Sequence, residues 1–345
     1  MIRASLKTRT RISTCFIVIL LGLAATGAFG AGSYVERPDV KDFLARMAEQ
    51  HGFDANELMR VFQHARFLPG VIKAILPPAL PSVRSWRRYQ ARYIDASRID
   101  GGVRFWQRHA PALAEAEARY GVPAEIIVAI IGVETIYGRM TGDFQTLSAL
   151  ATLAFDYPPR AELFRQELEE LLLLARDKGR PALSFSGSFA GAIGIPQFLP
   201  SSYRRFGVDF DGDGEVDLSL SVRDAIGSVA NFLQLHGWQA GGIVTLPAAV
   251  SGSDNPILAD GSVEPRYTPE DLANHGITAN SRSVPDEPSA LIDLATPGEV
   301  TEYWLGFRNF YVLTRYNRSS FYAMVVYLLS QELRAARDSG LQAPG

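Results

Sequence analysis

Residues 123–135 read PAEIIVAIIGVET and decide how the rest of the chain must be arranged. A proline is tolerated in the first turn of a helix, and the run that follows is apolar on every face, which predicts a buried helix. Glu134 stands near its end. Apolar surroundings disfavour the ionised carboxylate, so its pKa rises and it can hold a proton near neutral pH, as a general acid for glycosidic cleavage must. A glutamate on one solvated corner of a structural helix is the alternative.

Helical periodicity continues on both sides of this helix. It covers residues 37–119 and returns at 159–178, 222–236 and 322–335, whereas residues 242–299 contain seven prolines and two short β-prone runs, 243–246 and 291–294. The predicted fold class is mainly α, of the α+β type. We predict a helical region (34–119), a strongly helical central region (120–240), a small β-rich region (241–300), and a return of helix (301–340).

The N-terminus has the features of an export signal. An apolar run at residues 15–25 is followed by a small-residue cleavage site at 28–30, and the basic residues before it are Arg3, Lys7, Arg9 and Arg11. We predict a cleavable signal peptide over residues 1–30; a retained anchor is the alternative, but the run is shorter than the roughly 20 residues a spanning helix needs. The sole cysteine, Cys15, opens the apolar run, so we do not expect lipidation.

Charge and motif content exclude several classes of function. The net charge of −3 becomes −7 when the four positive charges of residues 1–30 are removed. An acidic mature chain argues against nucleic acid as a partner. The five histidines lack zinc spacing, and there is no phosphate loop, dinucleotide fingerprint or serine-nucleophile elbow.

Two further stretches have a composition suited to carbohydrate. Residues 187–202 (GSFAGAIGIPQFLPSS) are rich in small side chains, which let another chain approach the backbone, and Gln197 offers both donors and an acceptor. Residues 309–319 (NFYVLTRYNRS) combine aromatic, amide and hydroxyl groups. A glycine-rich structural turn and a packed strand-to-helix junction are the respective alternatives.

Residues 209–217 (DFDGDGEVD) match the start of an EF-hand calcium loop. Asp209, Asp211 and Asp213 occupy positions one, three and five, and Glu215 would contribute its backbone carbonyl. The twelfth position is Leu220 rather than glutamate, so the first carboxylate able to close a lengthened loop, over 209–224, is Asp224. We predict a calcium site; a solvated acidic turn is the alternative.

Six segments, in this order, resemble the membrane-bound lytic transglycosylase B family of peptidoglycan-degrading enzymes. The match covers essentially the whole mature chain. The segments are 133–138 (VETIYG), 155–158 (FDYP), 188–202 (SFAGAIGIPQFLPSS), 209–214 (DFDGDG), 224–231 (DAIGSVAN) and 314–317 (TRYN).

The resemblance implies a lysozyme-like catalytic core flanked by a helical domain and a small β domain, with one catalytic carboxylate, Glu134. Family members cleave the β-1,4 bond between N-acetylmuramic acid and N-acetylglucosamine without adding water. Glu134 would protonate the leaving oxygen and then, as carboxylate, take the proton of the muramic C6 hydroxyl as a 1,6-anhydro ring closes. The acetamido group of the substrate would stabilise the charged centre, so no second carboxylate is needed.

The resemblance also assigns binding residues. Ser188, Gln197, Tyr316 and Asn317 match positions that line the sugar cleft, and Tyr137 and Arg160 are further substrate-binding candidates. The calcium loop of the family maps onto Asp209, Asp211, Asp213, Glu215 and Asp224, with a structural role expected because the loop carries no catalytic residue. Two departures matter: there is no usable lipid-attachment cysteine, which predicts a soluble periplasmic form, and the twelfth loop position carries no carboxylate.

Peptidoglycan glycan strands are the expected partner, and nucleic acid is not. Proteins of cell-wall synthesis or division are candidate partners, and we expect the protein to be a monomer.

Two other functions stay open. A hydrolytic muramidase would need a second carboxylate, for which Asp143 and Asp156 lie close enough in sequence. A non-catalytic peptidoglycan-binding protein would use calcium only for stability.

Overall fold

The computed structural model describes residues 33–76, 84–251, 261–281 and 283–341, so the predicted signal peptide lies outside the described residues. Fourteen α-helices occur within the described ranges. They are α1 (Pro38–His51), α2 (Ala55–Gln63), α3 (Pro69–Ile75), α4 (Trp86–Tyr93), α5 (Ala96–Arg108), α6 (Ala110–Tyr120), α7 (Ala124–Thr135), α8 (Thr146–Asp156), α9 (Ala161–Asp177), α10 (Pro200–Phe206), α11 (Val222–Leu235), α12 (Pro269–Asn274), α13 (Arg308–Tyr316) and α14 (Ser320–Leu341).

Helix α7 lies at the centre of the helical packing. Helices α5, α6, α11 and α14 all pack against it. Every residue of α7 except Glu134 is buried, as the apolar character of residues 126–133 predicts. The helix ends where the chain enters a left-handed conformation at Ile136, with φ of 51°. Glu134 is therefore the one side chain of this helix that reaches partial exposure.

The outer helices follow the periodicity of the sequence. Helix α1 buries one stripe, ends at Gly52 in the left-handed conformation that glycine favours, and packs against α2. Helices α8 and α9 pack against each other, and the buried residues of both are mainly apolar. The predicted helices at 159–178 and 222–236 are confirmed as α9 and α11 to within two residues at each end.

A four-stranded antiparallel sheet interrupts the helices. Its order is β4-β3-β6-β5, and its strands are β3 (Thr245–Val250), β4 (Ile277–Ala279), β5 (Ala290–Leu294) and β6 (Glu302–Gly306). Both predicted β-prone runs fall in or beside β3 and β5, whereas β6 extends past residue 300. One face of the sheet forms a small apolar cluster with α12, and side chains of β5 reach into the main core. A two-stranded sheet joins β1 (Phe144–Gln145) to β2 (Ser186–Gly187).

The predicted fold class is confirmed: helices dominate and a small β-rich region is inserted between α11 and α13. Residues 33–345 cluster as a single unit by backbone contacts, so the boundaries predicted between domains stay predictions. No helix within the described residues is both long and apolar enough to cross a membrane.

Candidate active site

Glu134 is a partly exposed carboxyl at the end of the most buried helix of the protein. Its Oε1 accepts a hydrogen bond of 2.6 Å from the hydroxyl of Tyr322, on α14. Burial raises the pKa of Glu134 to about 7, and the Tyr322 hydrogen bond opposes that rise because it stabilises the carboxylate. Glu134 can therefore carry a proton at neutral pH and also release it.

The turn that follows Glu134 is fixed by one buried hydroxyl. Thr135 Oγ1 donates to the Ile195 carbonyl at 2.9 Å and accepts from the Gly138 amide at 3.0 Å. Ile136 and Tyr137 in this turn have left-handed φ angles of 51° and 62°. Such backbone is costly for side chains with a Cβ and persists only where the surroundings enforce it. Thr135 therefore joins the end of α7 to the segment that carries Gln197.

The small-residue segment, which Thr135 joins to the end of α7, forms two tight turns. Ser188 Oγ accepts from the Ala192 amide at 3.1 Å, and the Ser188 amide donates to the Ala192 carbonyl at 2.8 Å. Gln197 has a left-handed φ of 53°, and its Nε2 donates to the carbonyls of Thr141 and Gly194, both at 2.9 Å. Both amide protons of Gln197 are thus used within the protein, which leaves its Oε1 as the atom available to a ligand.

Two tyrosines of α13 and α14 complete the site. The Tyr316 hydroxyl donates to the Pro196 carbonyl at 2.5 Å, and its ring lies nearly parallel to that of Tyr322, with centroids 6.3 Å apart. Burial raises the pKa of both phenols well above the usual range, and the Glu134 charge adds to the rise. Both hydroxyls therefore stay protonated and act as donors. Tyr316 thus contacts the residue before Gln197 and stacks on the tyrosine that binds Glu134, and the exposed Asn317 directly follows Tyr316.

Sequence reasoning missed Tyr322, the only side chain that the structure shows hydrogen-bonded to Glu134 among the described residues. It also missed Tyr89, a half-buried phenol on α4 whose pKa is raised by burial, by Tyr93 and by the Glu134 charge. Both were treated as parts of helical patterns. Their closeness to Glu134 depends on how α4 and α14 pack, which no local motif encodes.

Two predicted substrate-binding residues have other contacts. The Tyr137 hydroxyl donates to the Arg98 carbonyl at 2.8 Å, and its ring fills the space left by Gly102 and Gly132. Arg160 is exposed, with its guanidinium 5.5 Å from the ring centre of Phe164. Among the described residues, no contact joins either side chain to Glu134. Tyr137 thus anchors the turn after α7 to α5, and the roles of Tyr137 and Arg160 in substrate binding stay predictions.

The acidic loop separates its predicted ligands into two groups. Ligand oxygens of Asp209, Asp211 and Asp213 lie within 4.8 Å of one another. Asp224 is fully buried, and its carboxylate accepts hydrogen bonds from the amides of Phe210 at 2.8 Å, Asp211 at 3.3 Å and Asp217 at 2.7 Å. The Glu215 side chain lies 3.4 Å from Lys178. Three carboxylates thus converge, while Asp224 holds the base of the loop by binding its backbone.

A carboxyl with a pKa of about 7 near two stacked tyrosines has the features expected of a general acid–base group in an enzyme. Residues 36–331 match the transglycosylase SLT domain. The chain is 41% identical over 315 residues to membrane-bound lytic murein transglycosylase B of Escherichia coli (strain K12). The aligned region is 89% of this chain and 85% of the relative.

Solved structures of lytic transglycosylases have the same fold as this chain. Soluble lytic transglycosylase SltB1 from Pseudomonas aeruginosa superposes with a TM-score of 0.80 at 44% identity, covering 87% of this chain and 100% of that chain. The Escherichia coli lytic transglycosylase SLT35, solved in complex with bulgecin A, superposes with a TM-score of 0.81 at 41% identity. The match covers 89% of this chain and 96% of that chain. The chain therefore belongs to the transglycosylase SLT domain family. It is a lytic murein transglycosylase with a lysozyme-like fold, which confirms the predicted resemblance.

We predict that Glu134→Gln stabilises the protein at and above neutral pH. Because the pKa of Glu134 is about 7 in the folded protein and 4.5 normally, its ionisation favours unfolding. Below pH 4.5 the carboxyl is protonated in both states, so its ionisation does not affect the free energy of unfolding. The destabilisation grows as the pH rises from 4.5 to about 7 and is fully present above about pH 7. The amide stays neutral and still accepts from Tyr322, so the gain in unfolding free energy should reach about 1–3 kcal/mol at alkaline pH.

Chemical denaturation curves of both proteins measure this gain when they are recorded from pH 4 to pH 8.5 in steps of about one pH unit or less. The exposed Glu162→Gln variant is the control and should show no pH-dependent difference. A constant difference between Glu134→Gln and the wild type at all pH values would contradict a neutral, buried Glu134.

Proposed function

We propose that Glu134 is the single general acid and base of a reaction that cleaves the β-1,4 bond from N-acetylmuramic acid to N-acetylglucosamine. Glu134 gives its proton to the bridging oxygen as the bond from C1 to that oxygen breaks. The resulting carboxylate then takes the proton of the muramic C6 hydroxyl while the C6 oxygen bonds to C1. The product is a 1,6-anhydro muramic end, and no water is consumed.

The observation that carries this proposal is the environment of Glu134. Its pKa of about 7 suits a group that must act first as an acid and then as a base near neutral pH. Since Tyr322 donates to Oε1, the acid proton belongs on Oε2, which leaves that oxygen to meet the glycosidic oxygen. When Glu134 is ionised, the same phenol stabilises the carboxylate.

The hydrolytic alternative needs a second carboxylate, within about 5–5.5 Å for a retaining enzyme and about 6.5–9.5 Å for an inverting one. A close partner carboxylate would raise the pKa of Glu134, and within the part of the chain that the structure describes the shift comes from burial and is opposed by the Tyr322 hydrogen bond. Asp156 is engaged by Arg37 at 2.5 Å and by the Tyr34 hydroxyl at 2.7 Å. These observations favour attack by the C6 hydroxyl of the substrate over attack by water, with the acetamido group stabilising the charged centre.

The substrate site we propose contains Ser188, Gln197, Tyr316 and Asn317. Gln197 Oε1 can accept from a sugar hydroxyl or acetamido N–H, and the tyrosine rings offer an apolar face to a sugar ring. SltB3 from Pseudomonas aeruginosa, 30% identical over 88% of this chain, was solved in complex with NAG-NAM-pentapeptide. A related fragment of a glycan strand is the ligand we propose for this site.

We further propose that the mature protein is exported to the periplasm without a lipid anchor and acts there as a monomer on peptidoglycan strands. The basic and apolar residues of the first 30 positions support export. The position of Cys15 at the start of the apolar run argues against lipidation.

The products released from purified sacculi test the reaction. The mature wild-type protein should release muropeptides that are lighter than hydrolytic products by the mass of one water molecule. Glu134→Gln should lower the rate of their release by about 1000-fold or more. Mass spectrometry of the soluble fraction measures both. Products with reducing ends would make the enzyme a hydrolase. Binding to sacculi by both proteins without release would instead support a binding module.

The pH dependence of kcat/KM tests the pairing of Glu134 with Tyr322. Only the protonated acid starts the reaction, so activity should fall as pH rises through about 7. Tyr322→Phe removes the hydrogen bond that lowers the pKa of Glu134. The alkaline limb of the kcat/KM profile of this variant should therefore lie at higher pH than that of the wild type. Tyr316→Phe is the matched control, because Tyr316 donates to Pro196 and not to Glu134. An alkaline limb unmoved by Tyr322→Phe would rule out this role for the phenol.

We also propose that the acidic loop binds calcium and that the ion stabilises the fold. Carboxylate oxygens of Asp209, Asp211 and Asp213 within 4.8 Å of one another match the hard oxygen ligands that calcium takes. The SLT35 structure of Escherichia coli, 40% identical over 89% of this chain, was solved in complex with calcium. Glu215 could add its backbone carbonyl, while Asp224 contributes by holding the loop backbone.

Thermal unfolding in calcium and in a chelator tests this site. Calcium at about 100 times its Kd should stabilise the wild type by about 2.7 kcal/mol, and the chelator should remove the gain. Asp213→Asn keeps an oxygen that can accept the Glu215 amide, so it should lose the calcium response while its midpoint in chelator stays close to that of the wild type. The exposed Asp100→Asn variant should retain the response. An equal midpoint in calcium and chelator for the wild type would exclude the site.

A further inference from the structure

A pocket of about 410 Å³ opens between α4 and the start of α14. Three arginines, Arg84, Arg88 and Arg92, line it together with Tyr89 and Ser319. We call it the arginine pocket. Arg88 and Arg92 are four residues apart on α4 and are therefore neighbours on one face of the helix, whereas Arg84 precedes the N-cap residue Ser85. The sequence RSWRRYQAR thus concentrates positive charge at the pocket.

The three guanidinium groups have no acidic partner among the described residues, in contrast to other arginines nearby. Arg87, on the same helix, lies 3.2 Å from Glu299 and 3.6 Å from Glu302, and Arg98 lies 3.1 Å from Asp95. Like charges four residues apart on a helix repel one another and destabilise it. Arg88 and Arg92 are such a pair, and the charge of Arg84 meets them at the same cavity in a chain whose net charge is −3, so an anionic ligand would relieve the repulsion.

The arginine pocket adjoins the catalytic carboxyl. The Arg84 guanidinium lies 4.5 Å from the ring centre of Phe321, and the Tyr89 and Phe321 rings are 5.7 Å apart. Phe321 directly precedes Tyr322, whose hydroxyl binds Glu134. The Glu134 charge also contributes to the raised pKa of Tyr89. A strand bound at Glu134 would therefore pass close to the three arginines.

We propose that the arginine pocket binds carboxylates of the peptide stem carried by a muramic acid residue of the strand in the cleft. This proposal rests on the proposed function. The sugar rings are uncharged, so the stem carboxylates are the anionic groups that such a strand brings near α4. Guanidinium groups bind carboxylates through paired hydrogen bonds, and the cavity falls within the volume range of ordinary ligand pockets.

Binding and turnover with two forms of the same glycan strands test the proposal. One form keeps its peptide stems, and in the other an amidase has removed them. The triple variant Arg84→Gln, Arg88→Gln, Arg92→Gln should lower kcat/KM for stem-bearing strands by about tenfold, as expected for losing several exposed charge-assisted contacts, mainly by raising KM. Its kcat/KM for stem-free strands should equal that of the wild type.

Arg87→Gln is the matched control, because it removes one charge from the same helix on the side that faces Glu299 and Glu302. It should leave the preference for stem-bearing strands unchanged. The single variants Arg88→Gln and Arg92→Gln, each expected to lose part of the preference, keep the test decisive if the triple variant folds poorly. An equal loss on both forms of strand, or no loss on either, would overturn the proposal.

Equilibrium binding in the Glu134→Gln background separates this proposal from the proposed reaction. Stem-bearing strands should bind more tightly than stem-free strands, and the triple variant should abolish the difference even if the wild type releases no anhydro product. Equal affinity for the two forms would refute the arginine pocket as a stem site while leaving the reaction untouched. Loss of binding to phosphatidylglycerol vesicles in the triple variant, with an unchanged preference for stems, would reassign the pocket to membrane lipid and also overturn the proposal.

Discussion

The burial of helix α7 is the constraint on which the rest of the structure depends. Eleven of its twelve residues are buried, and the remaining one is Glu134. The core formed by α5, α6, α11 and α14 around this helix supplies the apolar surroundings that raise the pKa of the Glu134 carboxyl to about 7. Stability and chemistry thus oppose each other at Glu134, since the core that the helix stabilises also disfavours the ionised form of that carboxyl.

Hydrogen bonds between distant segments give the site its geometry. The turn after α7, the segment around Gln197, and the α13–α14 region are far apart in the chain. Thr135 binds the Ile195 carbonyl, Tyr316 binds the Pro196 carbonyl, and Tyr322 binds Glu134 itself. These contacts involve backbone carbonyls or the carboxyl and leave Gln197 Oε1 free. Groups held in this way need little rearrangement to bind a sugar or stabilise a changing charge.

The left-handed residues of the site show how a local turn sets the contacts of a side chain. Tyr137 closely follows Glu134 in sequence, and the family resemblance makes it a candidate for contact with substrate. Its φ of 62° belongs to a turn that directs the ring onto Gly102 and Gly132. The backbone conformation after Glu134 thus decides which residues the Tyr137 ring contacts. Asp224 is also fixed by its surroundings, because its fully buried carboxylate accepts hydrogen bonds from amides of the loop.

The sequence by itself determined the mainly helical fold, the buried helix α7, the position of the β-rich insertion and the family, because apolar periodicity and local motifs report burial and turn chemistry directly. It also singled out Glu134 and Gln197, whose residue types are needed for acid–base chemistry and for binding sugars. Only the tertiary structure decided that Tyr322 is the partner of Glu134 and that the arginines of α4 face a cavity beside it. Both depend on how α14 packs against α4 and α7, and packing between helices distant in sequence leaves no local pattern in either one.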